Sequence, residues 1–178
     1  IKVVTPWATL HFEDHYGSSG FRGVTDREGR DWLQAGFGWG KNPNYRGFPN
    51  ATSSDFGHAN RGSNSTNTVI KQESNHVIIE SKNGNMNFKY HFFPSHGAIQ
   101  VVKAGEPYCF LWEGTTGGTV DQADYFVTSN GQKHYAKAKN IFADIPDEWL
   151  YCADPNRKDA LLMGKYPDDS NKDENWRN

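Results

Sequence analysis

Alternation of apolar and polar residues along the chain predicts β-strands. The clearest case is the segment 86–93, in which Met86, Phe88, Tyr90 and Phe92 alternate with polar residues. A period of two places one face of such a strand in a core and the other in water. No segment of useful length repeats its apolar residues at intervals of three and four, as an amphipathic helix requires. We therefore expect little helix.

Short strand-like segments recur through the chain and are separated by sequence typical of turns. Residues 26–29, 83–85 and 129–131 have the Asp, Asn and Gly residues that tight turns require. Strands are predicted at 8–12, 21–25, 31–33, 68–72, 76–82, 86–93, 98–103, 108–113, 124–128, 132–135, 147–151 and 160–163. This pattern predicts an all-β fold, an antiparallel β-sandwich, and both a jelly roll and a supersandwich fit it.

The length favours a single domain. A chain of 178 residues is long enough for one hydrophobic core and short for two, so we predict one β-sandwich domain over 1–178. The polar tail, 167–178, is expected to be peripheral. Its last residues look like the start of a further strand, which raises the alternative that the C-terminal sequence is incomplete.

Composition supports the strand prediction and excludes two kinds of partner. Aromatic residues make up 14% of the chain and glycines number 18, whereas all hydrophobic residues reach only 35%, which favours sheets and turns. The net charge is −2, from 19 basic and 21 acidic residues, so we expect no nucleic-acid partner. The chain has no apolar run of 18 residues, and no membrane span is predicted.

One long segment, 36–61, separates two groups of predicted strands and is the predicted working surface. It is rich in Gly, Asn and Pro, yet it also contains aromatic, cationic and imidazole side chains. Loops of this length are uncommon in compact domains unless they are functional or disordered. The side chains of interest are Trp39, Tyr45, Arg46, Phe48, His58 and Arg61.

Several stretches resemble known carbohydrate-active β-sandwich proteins. The segment HFEDHYGSSGFRGVTDREGRDWL resembles the opening of galactose-mutarotase-like supersandwich domains. The blocks NYRGFPN, FGH, FLWEGTTGG and LLMGKYPDD resemble segments of secreted β-sandwich proteins from polysaccharide-degrading bacteria, a group related to polysaccharide lyases and carbohydrate-binding modules. The resemblance implies a polysaccharide or oligosaccharide ligand. Supersandwich enzymes are usually longer than this chain.

The loop contains the residue types that eliminative cleavage of an acidic polysaccharide needs. Such a lyase needs a cation or amide at the uronate carboxylate, a base for the C5 proton and an acid for the leaving oxygen. Arg46, Arg61 and Asn50 could serve the carboxylate, His58 the base, and Tyr45 the acid or both. The alternative is that these side chains only hold the loop in place.

A second hypothesis is a carbohydrate-binding module without catalytic activity. Aromatic faces stack on sugar rings, and Trp39, Tyr45, Phe48 and Trp7 are the candidates. Glu113 follows an apolar strand and could project into a cleft beside Trp112, where it would suit a hydrolase only with a second carboxylate. Alternatively, the aromatic residues cover the end of the sandwich as a minor core.

The sequence also bears on metal binding, on the pairing of the two cysteines and on the location of the protein. The seven histidines show no zinc-binding spacing, so no cofactor is predicted, although structural calcium fits the acidic groups at 154–159 and 168–174. Cys109 and Cys152 fit a disulfide and a pair of buried thiols equally well. No signal peptide is visible, and the chain begins at Ile1 rather than Met, as a processed or trimmed chain does. The resemblance to secreted proteins implies a secreted or periplasmic location.

Overall fold

A computed structural model describes residues 1–12, 21–33, 50–53, 66–83, 86–105, 108–111, 122–135, 141–143, 145–165 and 173–175. Every strand pairing in these residues is antiparallel, and the only helical segment is a single 3-10 turn. The strands are β1 (Lys2–Val4), β2 (Ala8–Phe12), β3 (Phe21–Asp26), β4 (Asn50–Ser53), β5 (Thr66–Glu73), β6 (His76–Asn83), β7 (Met86–Phe92), β8 (Gly97–Ala104), β9 (Tyr108–Leu111), β10 (Tyr125–Thr128), β11 (Lys133–Tyr135), β12 (Ile141–Ala143), β13 (Trp149–Ala153), β14 (Ala160–Gly164) and β15 (Asp173–Asn175).

The chain divides into two compact units, Ile1–Gly114 and Thr115–Asn178, which are described separately. In the first unit, β1, β2 and β3 form one sheet, and β5 to β8 form a second sheet in chain order. Strands β4 and β9 form a separate pair. The prediction that one domain spans the whole chain stays a prediction.

The two larger sheets of the first unit pack face to face, as in a sandwich. Phe12 and Phe21 from the first sheet meet Tyr90 and Phe92 from the second, with ring centroids 5.2 to 5.8 Å apart and steep interplanar angles. Edge-to-face contacts of this kind are favourable beyond the area that they bury. Leu33 and Ile79 complete the centre of this core and are fully buried. The predicted all-β antiparallel sandwich is therefore confirmed.

A turn after β3 fixes the first sheet at its edge. Gly29 adopts a positive φ of 81°, and its N–H donates to the Asp26 carbonyl at 3.1 Å, as the predicted turn at 26–29 requires. The Asp26 carboxylate also accepts a 2.9 Å hydrogen bond from the Trp32 indole and one from the Arg30 side chain. The Trp32 side chain is buried. Residues 31–33 form only an isolated bridge at Asp31 instead of the predicted strand.

The four-stranded sheet shows the predicted alternation most clearly. Along β7 the side chains of Phe88, Tyr90 and Phe92 are buried, and the residues between them are partly exposed. Each outer strand contains a bulge, at Ile70 in β5 and at Val102 in β8, where the pairing register skips one residue. Both bulge residues are 45% exposed.

Strand β4 lies inside the segment that the sequence predicts to be a loop. The segment 36–61 was expected to be a connection throughout, but Asn50 to Ser53 pair with Leu111 to Tyr108 of β9. Asn-Ala-Thr-Ser has weak strand propensity of its own, and the ladder to β9 supplies the backbone hydrogen bonds that keep it extended.

The second unit contains a four-stranded sheet in the order β11-β10-β13-β14 and the pair β12-β15. Buried on one face of the sheet are Asp124, Phe126, Thr128 and Cys152. The opposite face is partly exposed. Strand β15 lies in the tail predicted to be peripheral, yet it pairs with β12. Among the residues that the structure describes, no helix has the length and apolar character needed to cross a membrane.

Candidate functional site

Four aromatic side chains share the partly exposed face of the sheet in the second unit. Alternate residues of a strand point to the same face, and the register places Tyr125, Tyr135, Trp149 and Tyr151 on the face opposite the buried Phe126 and Cys152. We call these four residues, together with Lys133 and Leu162, the aromatic face. Tyr135 is 53% exposed and Leu162 66% exposed, whereas the other three rings are half-buried.

A strained turn positions Trp149 at the start of β13. Asp147 and Glu148 both have positive φ, 61° and 46°, which is uncommon for residues other than glycine. The Glu148 carbonyl accepts a hydrogen bond from the Lys165 N–H at 2.9 Å, and its buried carboxylate lies 3.6 Å from the Lys165 ammonium. Both contacts join Glu148 to Lys165, the residue after β14, so they hold the backbone that leads into Trp149.

Trp149 and Tyr151 form a parallel pair of rings along β13. Their centroids lie 6.5 Å apart and their planes differ by 12°. On the neighbouring strand, Gly164 faces Trp149. A Cβ atom there would lie 3.5 Å from the Trp149 Cβ. Because residue 164 is glycine, β14 places no side chain directly beside Trp149. The result is two nearly parallel rings along one strand.

Lys133 is the charged member of the aromatic face. Its ammonium nitrogen lies 3.6 Å from the centroid of the Tyr125 ring and 5.0 Å from that of Tyr135. Cation–π contacts of this kind are favourable and do not neutralise the ammonium charge. Within the described part of the chain, no carboxylate forms an ion pair with Lys133.

Comparison with known proteins gives no relative. No protein-family model, curated protein or solved structure matches this chain. The resemblance to supersandwich domains and polysaccharide lyases therefore stays a prediction, and the functional argument depends on the arrangement of side chains.

Most of the residues predicted from the sequence fall outside the described residues. These are the three catalytic candidates His58, Tyr45 and Arg46, the candidate Arg61, and the proposed ligand contacts Trp39, Phe48 and Glu113. Asn50 is described only through its backbone, as the first residue of β4. The lyase constellation is thus neither assembled nor separated by the structure, and it stays a prediction.

Trp7 is the predicted ligand contact whose side chain is described. The indole is half-buried and packs against the core of the first unit. Its Nε1 donates a hydrogen bond of 3.4 Å to the carbonyl of Phe93, in the turn between β7 and β8. These surroundings fit the alternative in which such aromatic residues cover the end of the core.

A chain of hydrogen bonds crosses the outer face of the four-stranded sheet in the first unit. We call Lys71, His76, His91 and Gln100 the histidine chain. The Lys71 ammonium lies 3.1 Å from His76 Nδ1, His76 Nε2 lies 3.0 Å from His91 Nδ1, and His91 Nε2 lies 3.3 Å from Gln100 Oε1. Because lysine can only donate, His76 accepts at Nδ1 and donates from Nε2, and His91 does the same.

Charge and partial desolvation favour the neutral form of His76. Loss of solvent around the ring lowers the pKa of His76, and the positive charge of Lys71 and the neighbouring His91 lower it further. The ring also stacks on Phe93, with centroids 4.4 Å apart and planes 15° apart. A proton on His76 Nδ1 would face the Lys71 ammonium, so protonation of His76 breaks the hydrogen bond between these two side chains.

The described residues contain no group of three or more His, Cys, Asp or Glu side chains arranged to hold a metal ion. In the acidic segment 154–159, the Asp154 carboxylate accepts a hydrogen bond from the Asn156 N–H at 2.8 Å and lies 3.6 Å from Arg157. It closes a turn in this way. The acidic residues at 168 and 169 lie outside the described residues, and calcium stays a prediction. The pairing of Cys109 with Cys152 also stays open, because only the buried Cys152 side chain is described.

Sequence reasoning missed the aromatic face. It predicted strands at 124–128, 132–135 and 147–151, but it looked for ligand contacts in the long loop. The available signal was the spacing Trp149-x-Tyr151, together with Tyr125 and Tyr135 on two strands joined by a predicted tight turn. In an antiparallel sheet these positions fall on one face.

Proposed function

We propose that the protein binds polysaccharide without covalent change, through the aromatic face of its second unit. The observation that carries this proposal is the parallel pair Trp149 and Tyr151, which lies on a partly exposed sheet face. Sugar rings have apolar faces that stack on aromatic side chains, and a polysaccharide repeats those faces along its length. A repeated ring on a partly exposed strand suits a repeating ligand.

Rigidity supports the same proposal. The aromatic side chains stand on β-strands, and the turn at Asp147 and Glu148 fixes the backbone beside Trp149. Binding then requires little ordering of the protein, which reduces the entropic cost of association. A secreted or periplasmic location accompanies the proposal, because polysaccharides are encountered outside the cytoplasm.

The test is to measure affinity for a panel of neutral and acidic polysaccharides before and after the change Trp149→Ala. Loss of one central stacking contact should weaken binding at least about tenfold, which corresponds to about 1.4 kcal/mol. His96→Ala is the matched control, because it removes an exposed ring that stacks on Phe93 in the first unit.

Three results would count against this proposal. The first is the absence of binding to every polysaccharide in the panel. The second is equal loss of affinity in Trp149→Ala and His96→Ala. The third is self-association of the chain that Trp149→Ala abolishes in the absence of glycan binding, which would assign the face to a second copy. Release of unsaturated uronate products would favour the lyase hypothesis, and its loss in His58→Ala would place that activity in the loop.

A further inference from the structure

We infer that Lys133 makes the aromatic face selective for anionic glycans, those bearing carboxylate or sulfate groups. The inference rests on the proposed function and adds to it the chemical class of the ligand. It assigns recognition of the anionic group to the second unit rather than to the cationic residues of the loop.

The position of Lys133 within the aromatic face is the first part of the argument. It pairs with Val127 of β10, which in turn pairs with Tyr151 of β13. Lys133 therefore lies in the same row across the sheet as Tyr151, two strands away. Adjacent strands are about 4.8 Å apart, so the two Cα atoms are separated by about 10 Å. A glycan stacked on Tyr151 can reach the ammonium with a neighbouring sugar.

The charge of Lys133 is available to a ligand. Its ammonium lies over Tyr125 rather than beside a carboxylate. None of the other described strand positions on this face is occupied by Asp, Glu, Lys, Arg or His. An anionic sugar therefore meets one positive charge and no negative charge among these positions.

The contact with Tyr125 also preorganises the lysine. A free lysine side chain loses much rotamer entropy when it binds a ligand. Here the ring of Tyr125 already holds the ammonium at 3.6 Å, on the same side of the sheet as the stacking rings. Charge-assisted hydrogen bonds to a carboxylate or sulfate then form at lower entropic cost. A neutral glycan gains nothing from this charge.

The experiment compares Lys133→Gln and Lys133→Arg with the unchanged protein. The probes are a neutral gluco-oligosaccharide, a uronate oligosaccharide and a sulfated oligosaccharide of matched length. We expect the unchanged protein to prefer one or both anionic probes, and Lys133→Gln to weaken their binding about three- to tenfold. Affinity for the neutral probe should change less than about twofold, and Lys133→Arg should retain the preference because it keeps the charge.

Salt provides a second readout. Raising the ionic strength from about 0.01 M to about 1 M shortens the Debye length from about 30 Å to about 3 Å and should reduce the preference for anionic probes. The salt dependence should be smaller in Lys133→Gln. A uronate preference and a sulfate preference would identify different sources of the same anionic chemistry.

Two results would overturn the inference while leaving the proposed function intact. One is equal affinity for neutral and anionic probes in the unchanged protein. The other is an anionic preference that persists in Lys133→Gln. If no probe binds, or if Trp149→Ala binds as well as the unchanged protein, the proposed function itself fails. An unfolding curve for each variant verifies that the comparison is made between folded proteins.

Discussion

Lys71, His76 and His91 show how one side chain sets the hydrogen-bond roles of its neighbours. Lys71 can only donate a hydrogen bond, so His76 Nδ1 accepts and His76 Nε2 donates. His91 Nδ1 then accepts the hydrogen bond from His76. The pKa of His76 is lowered by loss of solvent and by the positive charge of Lys71. The folded protein thus binds a proton at His76 less readily than the unfolded chain does.

This difference predicts how stability depends on pH. The contribution of His76 is fully present above its ordinary pKa of 6.5 and is lost as the pH falls from there through the lower pKa of the folded state. We expect the free energy of unfolding to decrease between neutral and mildly acidic pH, and to decrease less in His76→Gln. Chemical denaturation at a series of pH values measures both.

His96→Gln serves as the control in that experiment, because His96 lies outside the histidine chain. If His76→Gln and the unchanged protein lose the same stability on acidification, the proton linkage does not involve His76. The ring nitrogens observed by NMR at neutral pH should also show His76 protonated at Nε2 alone.

At the level of strands, the sequence predicts the regular parts of the fold well. Strands β2, β6, β7 and β8 were predicted within one or two residues of their observed bounds, because each alternates between a core face and a wet face. Their amphipathic pattern is a local property. It is readable without knowledge of the partner strand.

The missed strands have a different origin. β1, β4, β12 and β15 contain three or four residues each, too few to show a period. β4 and β15, with the sequences Asn-Ala-Thr-Ser and Asp-Glu-Asn, also lack any large apolar residue. Their extended conformation depends on pairing with β9 and β12, which are distant in the sequence. Such tertiary dependence is invisible to propensity.

The aromatic face was missed for a related reason. In β13, Leu150 lies between Trp149 and Tyr151, so the segment reads as a continuous apolar run rather than as an alternation. Such a run predicts burial on both faces. The structure shows that both rings remain half-exposed, because the register places them opposite Gly164 and Leu162 at the edge strand β14.

The missing side chain at Gly164, beside Trp149, leads to a prediction about glycan binding. Its φ is not in the left-handed region, and a Cβ atom would make an ordinary contact of 3.5 Å with Trp149. Gly164→Val should therefore fold, and a β-branched residue suits a strand. Its side chain should obstruct the edge of the indole and weaken glycan binding about three- to tenfold, as judged by calorimetric titration.

Ala160→Val is the matched control, since Ala160 lies on the same face of β14 but pairs with Ala153, away from Trp149. Equal effects of the two substitutions on affinity would show that the surface between Gly164 and Trp149 has no special part in binding.

At the scale of the whole molecule, the two hypotheses about function place the ligand in different parts of the chain. The lyase hypothesis uses the segment 36–61, which belongs to the first unit, whereas the aromatic face belongs to the second. Hydrogen exchange can therefore separate them without any substitution.

We expect a bound oligosaccharide to slow amide exchange in β10, β13 and β14, and to leave the amides of β6 and β7 unchanged. Protein–ligand contact stabilises the state in which those strands are closed, and local opening governs their exchange. Protection confined to 36–61 would instead support the loop, and uniform protection would indicate general stabilisation.

The bulges at Ile70 and Val102 bear on how the protein behaves at high concentration. They interrupt the outer strands of the four-stranded sheet, where exposed backbone groups would otherwise recruit a strand from another molecule. Val102 is followed by Lys103, whose charge adds repulsion between like edges, whereas Lys71, which follows Ile70, pairs with Glu73. The four-stranded sheet thus combines exposed aliphatic side chains with outer strands that resist edge-to-edge pairing with another molecule.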